Sequence, residues 1–166
     1  MFTLEELNDN NYNELSKLKI SEKQKEFVLD FEGCVNYKKI YPFLKLYGIK
    51  KDDTYIGMTA FARWDSDTSI PVEDRWVWFD EFFLDLKYQG HGYGKELVQM
   101  ILKKIQEIYH PEFVVLSVKN NNERAKTLYR HYGFKDTKYI YHKEDDSVSL
   151  EETVGPEDEF VMTYTY

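Results

Sequence analysis

The sequence predicts an α/β fold in which a central β-sheet of mixed strand direction is flanked by helices. Three observations support this prediction. An aromatic-rich apparent strand, residues 75–84, leads through a glycine-rich turn into an amphipathic helix that begins near Gly92. A short run of β-forming residues, 113–118, leads into a second helical segment, and two further apparent strands, 139–141 and 160–164, close the chain. Strands that alternate with helices and then follow one another favour a mixed sheet.

The N-terminal part of the chain is predicted to contain two helices. Residues 8–11 are asparagine and aspartate, which cap helix N-termini, and they precede a helix-like stretch over 12–18. Ser21 and Gln24 match a capping box that opens the second helix, in which three apolar residues follow at helical spacing, Phe27, Val28 and Phe31.

The middle of the chain is predicted to form a hairpin and a long packed helix. Residues 44–49 and 55–64 are predicted strands separated by a turn over 50–54, and a polar loop over 65–74 follows. After the glycine-rich turn, one apolar stripe lies along the helix at positions i, i+3, i+4, i+8 and i+11: Leu97, Met100, Ile101, Ile105 and Ile108. Such a stripe packs against a sheet. Between the two closing strands, residues 143–158 are predicted to form an acidic loop.

The composition limits the classes of function. The 166 residues suit a single domain, 1–166, and contain no apolar run near the ~20 residues that span a bilayer. The N-terminus resembles no secretory signal, so we expect a cytoplasmic protein without a membrane partner. The net charge of −8 disfavours nucleic acid as a partner and attracts cations. Cys34 is expected to be a buried structural thiol, and neither it nor the four histidines show the spacing of metal ligands.

The glycine-rich turn is the strongest candidate for a binding site. It consists of Gln89-Gly90-His91-Gly92-Tyr93-Gly94-Lys95. Glycines let an anion approach the backbone, and the helix N-terminus adds unpaired N–H groups and the positive end of its dipole. The spacing fits neither a Walker loop nor the Gly-x-Gly-x-x-Gly turn of dinucleotide-binding folds. The alternative is a helix start that uses glycine only for a tight turn.

Two motifs, in this order, resemble one enzyme family. Residues 89–94 resemble the Gln/Arg-x-x-Gly-x-Gly/Ala turn of the GNAT-type N-acetyltransferases. Residues 122–134 resemble that family's Asn-x-x-Ala-x-x-Leu-Tyr-x-x-x-Gly-Phe segment, with these positions in register: Asn122, Ala125, Leu128, Tyr129, Gly133 and Phe134. The order of predicted elements also resembles the GNAT (acyl-CoA N-acyltransferase) fold over nearly the whole chain. The resemblance implies an acetyl-CoA-dependent N-acetyltransferase with no metal.

The resemblance also implies how acetyl-CoA is held. In the family, backbone groups at the strand end pair with the pantetheine arm, and N–H groups of the turn bind the pyrophosphate. Carried over to this chain, the co-substrate-binding residues are Phe82, Phe83, Leu84, Gln89, Gly90, His91, Gly92, Tyr93, Gly94, Lys95 and Asn122. Lys95 could add a charge for the phosphates, and an ordinary surface lysine is an equally good interpretation.

Two residues are predicted to be catalytic. Tyr129 lies where the family has its general acid, and its phenol, with a reference pKa of ~10, can protonate a departing thiolate. Asp80 is the candidate base for the attacking amine. An aspartate with a reference pKa of ~3.9 is a poor base, so Asp80 would need desolvation by its aromatic neighbours or a water relay. By simple alternation Asp80 and Glu81 face opposite sides of the strand, and both are candidates for binding the substrate.

A closer resemblance concerns the acceptor. Residues 78–90 look like the corresponding segment of the spermidine/spermine (diamine) N-acetyltransferases, and residues 20–28 resemble the start of bacterial members of that group. In that group a carboxylate at the position of Asp80 is assigned as the base. The resemblance implies a small polyamine acceptor, which suits an acidic chain. Other acidic residues near the predicted cleft stay unassigned: Glu32, Asp65, Asp67, Glu73 and Asp74.

Two other functions stay open at this point. One is acetylation of a peptide or protein amine, or of another small amine. The other is a coenzyme A-binding sensor domain that has lost catalysis, which the presence of both Tyr129 and Asp80 disfavours. Dimerisation is common in the family, so a homodimer is a candidate assembly.

Overall fold

The computed structural model describes residues 1–63, 76–144, 147–150 and 158–166. Its helices and strands are, in chain order, β1 (Phe2–Glu6), α1 (Tyr12–Leu15), α2 (Phe31–Ile40), β2 (Lys45–Lys51), β3 (Thr54–Ala62), β4 (Trp76–Leu84), α3 (Gly94–Tyr109), β5 (Phe113–Lys119), α4 (Glu123–His131), β6 (Lys135–His142), β7 (Ser147–Leu150) and β8 (Glu159–Thr165). The chain forms two compact units. The first comprises Met1–Ala62 and Phe79–Lys104, and the second comprises Arg63–Trp78 and Ile105–Tyr166.

The first unit is built on the strand order β1-β2-β3-β4. The strand β2 pairs antiparallel with both β1 and β3. The β2–β3 hairpin is tight, with Lys51 opposite Thr54 and Asp52 in the left-handed region at a φ of 54°. Helix α1 contacts β3, and α2 contacts β2. Residues 56–62 of β3 are all buried, a pattern without alternation that is typical of a strand covered on both faces.

The second unit has the strand order β4-β5-β8-β6-β7. The first three residues of β4, Trp76–Trp78, pair with β5 in parallel, whereas the other neighbouring strands pair antiparallel. The sheet is therefore mixed, as predicted. Helix α4 contacts β6. The core of this unit consists of Val114, Val115, Leu116, Val118, Phe134, Ile140, Val161 and Met162.

Helix α3 carries the predicted apolar stripe. Its residues Leu97, Ile101 and Ile105 are completely buried, while Met100 and Ile108 at the edges of the stripe are half-buried. The helix begins at Gly94, two residues after the predicted start. Gly92 has a φ of +79°, which no residue of a right-handed helix adopts.

The second predicted helix was misplaced. The capping box forms, since Ser21 N–H donates to Gln24 Oε1 (3.0 Å) and Gln24 N–H donates to Ser21 Oγ (3.2 Å), but it opens only a single 3-10 turn, Gln24–Glu26. Helix α2 starts later, where Asp30 has an extended backbone and its Oδ1 accepts from Gly33 N–H at 3.0 Å. Aspartate is a strong N-cap, and here it sets the start of the helix. The first predicted helix, 12–18, is also shorter and ends at Leu15.

Two strands were absent from the prediction. β1 lies at the N-terminus, and β7 lies within residues 143–158, which the sequence predicted to be a loop. The residues of β7 pair antiparallel with β6, so backbone hydrogen bonding overrides the polar composition of this segment. The predicted loop over 65–74, with its acidic residues Asp65, Asp67, Glu73 and Asp74, lies outside the described residues. Among the helices of the described residues, none is long and apolar enough to cross a membrane.

Candidate active site

The glycine-rich turn presents bare backbone to open space. Gly90 and Gly92 have φ values of +75° and +79°, and a Cβ atom built on either one would meet no atom within 4 Å. Helix α3 begins at Gly94, where Leu97 N–H donates to Tyr93 O at 3.1 Å. The backbone at these two glycines is therefore open to a ligand, and the N-terminus of α3, which favours an anion, follows directly.

The side chain of Gln89 points back into the protein. Its Nε2 donates to Leu84 O at 2.7 Å and to Gln24 Oε1 at 3.0 Å. These two bonds tie the start of the turn to the end of β4 and to the 3-10 turn that begins at Gln24. The side chain of Gln89 thus holds the turn in place, and its backbone is the part left to face a ligand.

Lys51 is a basic residue of this site that the sequence analysis missed. Its Nζ donates to Tyr93 Oη at 2.8 Å and lies 4.8 Å from the centre of that ring. The ring of His91 stacks on the same tyrosine with centres 5.5 Å apart. Lys51 comes from the β2–β3 hairpin, 42 positions before Tyr93, so only the folded structure reveals it. Lys95, the basic residue predicted from the motif, is exposed in the first turn of α3.

The end of β4 lies close against β3. A Cβ atom at Gly57 would lie 2.3 Å from Phe83 O, so a side chain at position 57 would push the two strands apart. The ladder of β4 with β5 comprises Trp76–Trp78, and Phe82 to Leu84 lie beyond the end of that ladder. Leu84 O accepts from Gln89, as described above.

Asp80 has the most unusual environment of the predicted residues. Its Oδ2 is shielded from solvent and has no hydrogen-bond partner among the described residues, although the residue as a whole is half-buried. Burial raises the pKa of the Asp80 carboxyl well above its ordinary value of 3.8. The desolvation that a catalytic aspartate needs is therefore present.

Glu81 is engaged by the backbone. Its Oε2 accepts from Leu29 N–H at 3.2 Å, and its carbonyl accepts from Thr59 Oγ1 at 2.9 Å. Glu81 therefore links β4 to the segment before α2.

Cys34 identifies a cluster of carboxylates in the first unit. Burial raises the pKa of its thiol, and the charges of Glu81, Asp30 and Asp80 raise it further. The thiol is fully buried and donates weakly to Leu29 O at 3.8 Å. Cys34 is buried, as predicted, and its structural role stays a prediction. The same three charges disfavour ionisation of this thiol.

In the second unit, α4 fixes the position of Tyr129. Asn122 caps the helix by accepting from Ala125 N–H at 3.1 Å. Gly133, with a φ of +98°, ends the helical segment and turns the chain back, so that the rings of Phe134 and Tyr129 meet edge to face at 5.5 Å. The residue pattern of this motif thus has a clear structural basis, and Tyr129 is half-buried on α4.

The predicted residues fall into two groups. The first unit contains Asp80, Glu81, the end of β4 and the glycine-rich turn, and the second unit contains Asn122 and Tyr129. The role of each of these residues, and the approach of Tyr129 to the donor, stay predictions. Among the described residues, no group of three acidic, histidine or cysteine side chains is placed to hold a metal ion.

The family model for the acetyltransferase (GNAT) family matches residues 8–134. The chain belongs to this family. The predicted α/β fold and the prediction of an acetyl-CoA-dependent acetyltransferase are confirmed.

The individual proteins that this chain is similar to include several N-acetyltransferases. A spermine/spermidine N(1)-acetyltransferase of Bacillus subtilis (strain 168) is 28% identical over 130 residues, which cover 76% of this chain and 83% of the relative. An N-alpha-acetyltransferase of Sulfurisphaera tokodaii is 38% identical over 56 residues, 34% of each chain. The crystal structure of a spermidine N-acetyltransferase from Vibrio cholerae in complex with CoA and spermine matches with a TM-score of 0.70 at 14% identity, over 99% of this chain and 95% of that one. The predicted resemblance to polyamine acetyltransferases is confirmed.

Proposed function

We propose that this acetyltransferase transfers the acetyl group of acetyl-CoA to a primary amine of a small polyamine such as spermidine or spermine. The observation that carries the proposal is the pair of consecutive acidic residues on β4, Asp80 with its solvent-shielded Oδ2 and Glu81, in the unit that also contains the glycine-rich turn. A negative potential attracts an acceptor that carries several ammonium groups. The Bacillus subtilis relative, named for spermine and spermidine, supports the same class of acceptor.

Binding of the donor uses backbone groups. The N–H groups of residues 89–95 bind the pyrophosphate at the start of α3. The backbone of Phe82 to Leu84 pairs with the pantetheine arm in the manner of an added strand. Lys51 adds a positive charge beside the turn, where it is held by Tyr93.

The chemical step exchanges one bond for another. An aliphatic ammonium has a reference pKa of ~10.4 and must lose a proton before it attacks. Asp80 accepts this proton, directly or through water, and its raised pKa makes it a stronger base than an ordinary aspartate. The neutral amine nitrogen then bonds to the acetyl carbon, the carbon–sulfur bond breaks, and Tyr129 gives its phenolic proton to the departing sulfur. The nitrogen loses its second proton as the amide forms, and this proton returns, directly or through water, to the Tyr129 phenolate.

The experiment is a panel of amine acceptors assayed for release of free coenzyme A thiol. We expect turnover with spermidine or spermine. The match to an N-alpha-acetyltransferase over 34% of the chain favours a peptide α-amine as the second candidate. Turnover with a peptide and none with any polyamine would replace the proposed acceptor and leave the family unchanged.

The Tyr129→Phe variant tests the general acid. We expect a fall in kcat of about 10²- to 10⁴-fold, because the phenolic proton is lost while the ring is kept. The dissociation constant of acetyl-CoA, measured by calorimetry, should stay unchanged. Tyr132→Phe is the matched control, since Tyr132 is a half-buried tyrosine at the end of the same helix. Equal kcat values for the two variants would exclude Tyr129 as the acid.

A further inference from the structure

The first unit contains a connection between the glycine-rich turn and the acidic side of the site. Gln24 Oε1 accepts from three donors: Ser21 N–H at 3.0 Å, Ser21 Oγ at 3.1 Å and Gln89 Nε2 at 3.0 Å. Of these three bonds, its role in the capping box requires only the one from Ser21 N–H. The third bond joins residues that are 65 positions apart, and it attaches the 3-10 turn to the glycine-rich turn.

The same segment is tied at its other end to β4. Leu29 N–H donates to Glu81 Oε2 at 3.2 Å. Glu81 is the residue that follows Asp80 in the chain. We refer to residues 24–29 as the strap. The strap is therefore attached at Gln24 to the turn that is proposed to bind the pyrophosphate, and at Leu29 to the strand that carries the proposed base.

The other attachments of the strap are weak: Lys25 Nζ forms exposed ion pairs with Glu22 (3.0 Å) and Asp30 (3.7 Å), and Leu29 O accepts from Cys34 Sγ at 3.8 Å. Phe27 N–H and Val28 N–H both donate to Gln24 O, at 2.9 and 3.0 Å, and Lys25, Glu26 and Leu29 are exposed. The segment just before the strap is attached more firmly to the end of β4. There the buried carboxylate of Asp85 accepts from both Lys19 N–H (2.8 Å) and Lys87 N–H (2.9 Å). A surface segment that depends on single hydrogen bonds opens locally at low cost. The two bonds that attach the strap to β4 and to the glycine-rich turn, Leu29–Glu81 and Gln24–Gln89, therefore contribute to its order.

We propose that Gln24 is a positioning residue that couples binding of the coenzyme to the order of the strap, and through it to the acceptor. Gln89 belongs to the turn, so a ligand that fixes the turn also fixes the Nε2 group of Gln89, which donates to Gln24 Oε1. A fixed strap keeps the Leu29 N–H on Glu81 and orients that carboxylate beside Asp80. By thermodynamic reciprocity, an ordered strap strengthens coenzyme binding by the same factor. The effect on the acceptor rests on the proposed function, whereas the effect on the strap requires only the coenzyme.

Hydrogen exchange with coenzyme A alone tests the coupling. We expect coenzyme A to slow exchange at the amides of Phe27, Val28 and Leu29 about two- to tenfold in the wild type, the range for one neutral hydrogen bond. In Gln24→Ala this protection should disappear. Gln24→Glu should restore it, because a carboxylate oxygen can accept from all three donors. Glu26→Ala, at an exposed position of the same turn, is the control and should keep it.

Two results would overturn the proposal. One is a wild-type strap whose exchange coenzyme A does not change. The other is protection by coenzyme A that persists in Gln24→Ala. If Gln24→Ala fails to fold, the wild type and Gln24→Glu still decide, since both must show the protection.

Kinetics extend the test to the acceptor. For the amine that gives turnover in the panel, Gln24→Ala should raise KM about two- to tenfold with little change in kcat, and Gln24→Glu should return KM to the wild-type value. Absence of turnover with every polyamine would count against the proposed acceptor. The hydrogen-exchange experiment, which is done without an amine, would still test the coupling between coenzyme binding and the strap.

Discussion

The Asp80→Asn variant tests whether a buried carboxylate at the site costs stability. The Oδ2 of Asp80 has no hydrogen-bond partner among the described residues, and burial raises the pKa of its carboxyl well above 3.8. At a pH between the ordinary pKa and the raised one, the folded protein therefore keeps a proton on Asp80 that the unfolded chain releases, and above the raised pKa the carboxylate is free to act as a base. Because the folded state binds more protons, the free energy of unfolding must fall as the pH rises from the ordinary pKa to the raised one. The slope is at most about 1.4 kcal/mol per pH unit for one proton.

Replacement by asparagine removes the ionisation and keeps the shape of the side chain. We compare the free energy of unfolding of Asp80→Asn with that of the wild type. The difference, variant minus wild type, should increase by about 1–3 kcal/mol in total as the pH rises from about 4 towards neutrality. Urea unfolding followed by the fluorescence of the three tryptophans measures this difference at each pH. The same variant should lose most of its turnover, since the base is gone.

Asp53→Asn is the control, because Asp53 is exposed in the β2–β3 turn. Its free energy of unfolding should follow the wild type across the same pH range. A difference between Asp80→Asn and the wild type that stays constant with pH would refute the argument, since it would mean that Asp80 titrates alike in the folded and unfolded states.

Two further variants test the donor side of the site. Gly57→Ala should lower the free energy of unfolding by about 1–3 kcal/mol and weaken acetyl-CoA binding, because the new Cβ, 2.3 Å from Phe83 O, forces β3 away from β4. A variant as stable as the wild type in urea unfolding would contradict this. Lys51→Met should raise the dissociation constant of acetyl-CoA about two- to fivefold at low salt, and less at high salt, because a charge beside the turn is lost. Calorimetry at two ionic strengths measures the effect, and equal loss at both would mean that Lys51 acts only by supporting Tyr93.

The sequence predicted the elements that have strong local signals. The apolar stripe that contains Leu97 and Ile101 identified α3, and the valine-rich run identified β5. The early helices were harder, because two competing N-caps, Ser21 and Asp30, lie nine positions apart and only the second opens a true helix. The strands β1 and β7 have four or five residues and become recognisable only through their partners.

The site shows the same division. The glycine-rich turn and the block around Tyr129 carry fixed spacings, which a sequence can reveal. The contacts of Lys51 with Tyr93 and of Gln24 with Gln89 join distant positions and have no local pattern. The environment of Asp80 was foreseen only as a requirement, since burial of a carboxylate depends on how whole strands and helices pack. The single-domain assignment, the homodimer, the cytoplasmic location and the absence of nucleic-acid or membrane partners stay predictions.

The environment of Cys34 has a practical consequence. Disulfide-based colour reagents react with thiolates, and burial together with neighbouring carboxylates keeps this group protonated. The folded enzyme should therefore contribute no background when such a reagent records coenzyme A release. Denaturation should expose one reactive sulfur per chain, so the same reagent can count the fraction of molecules that have lost their native core.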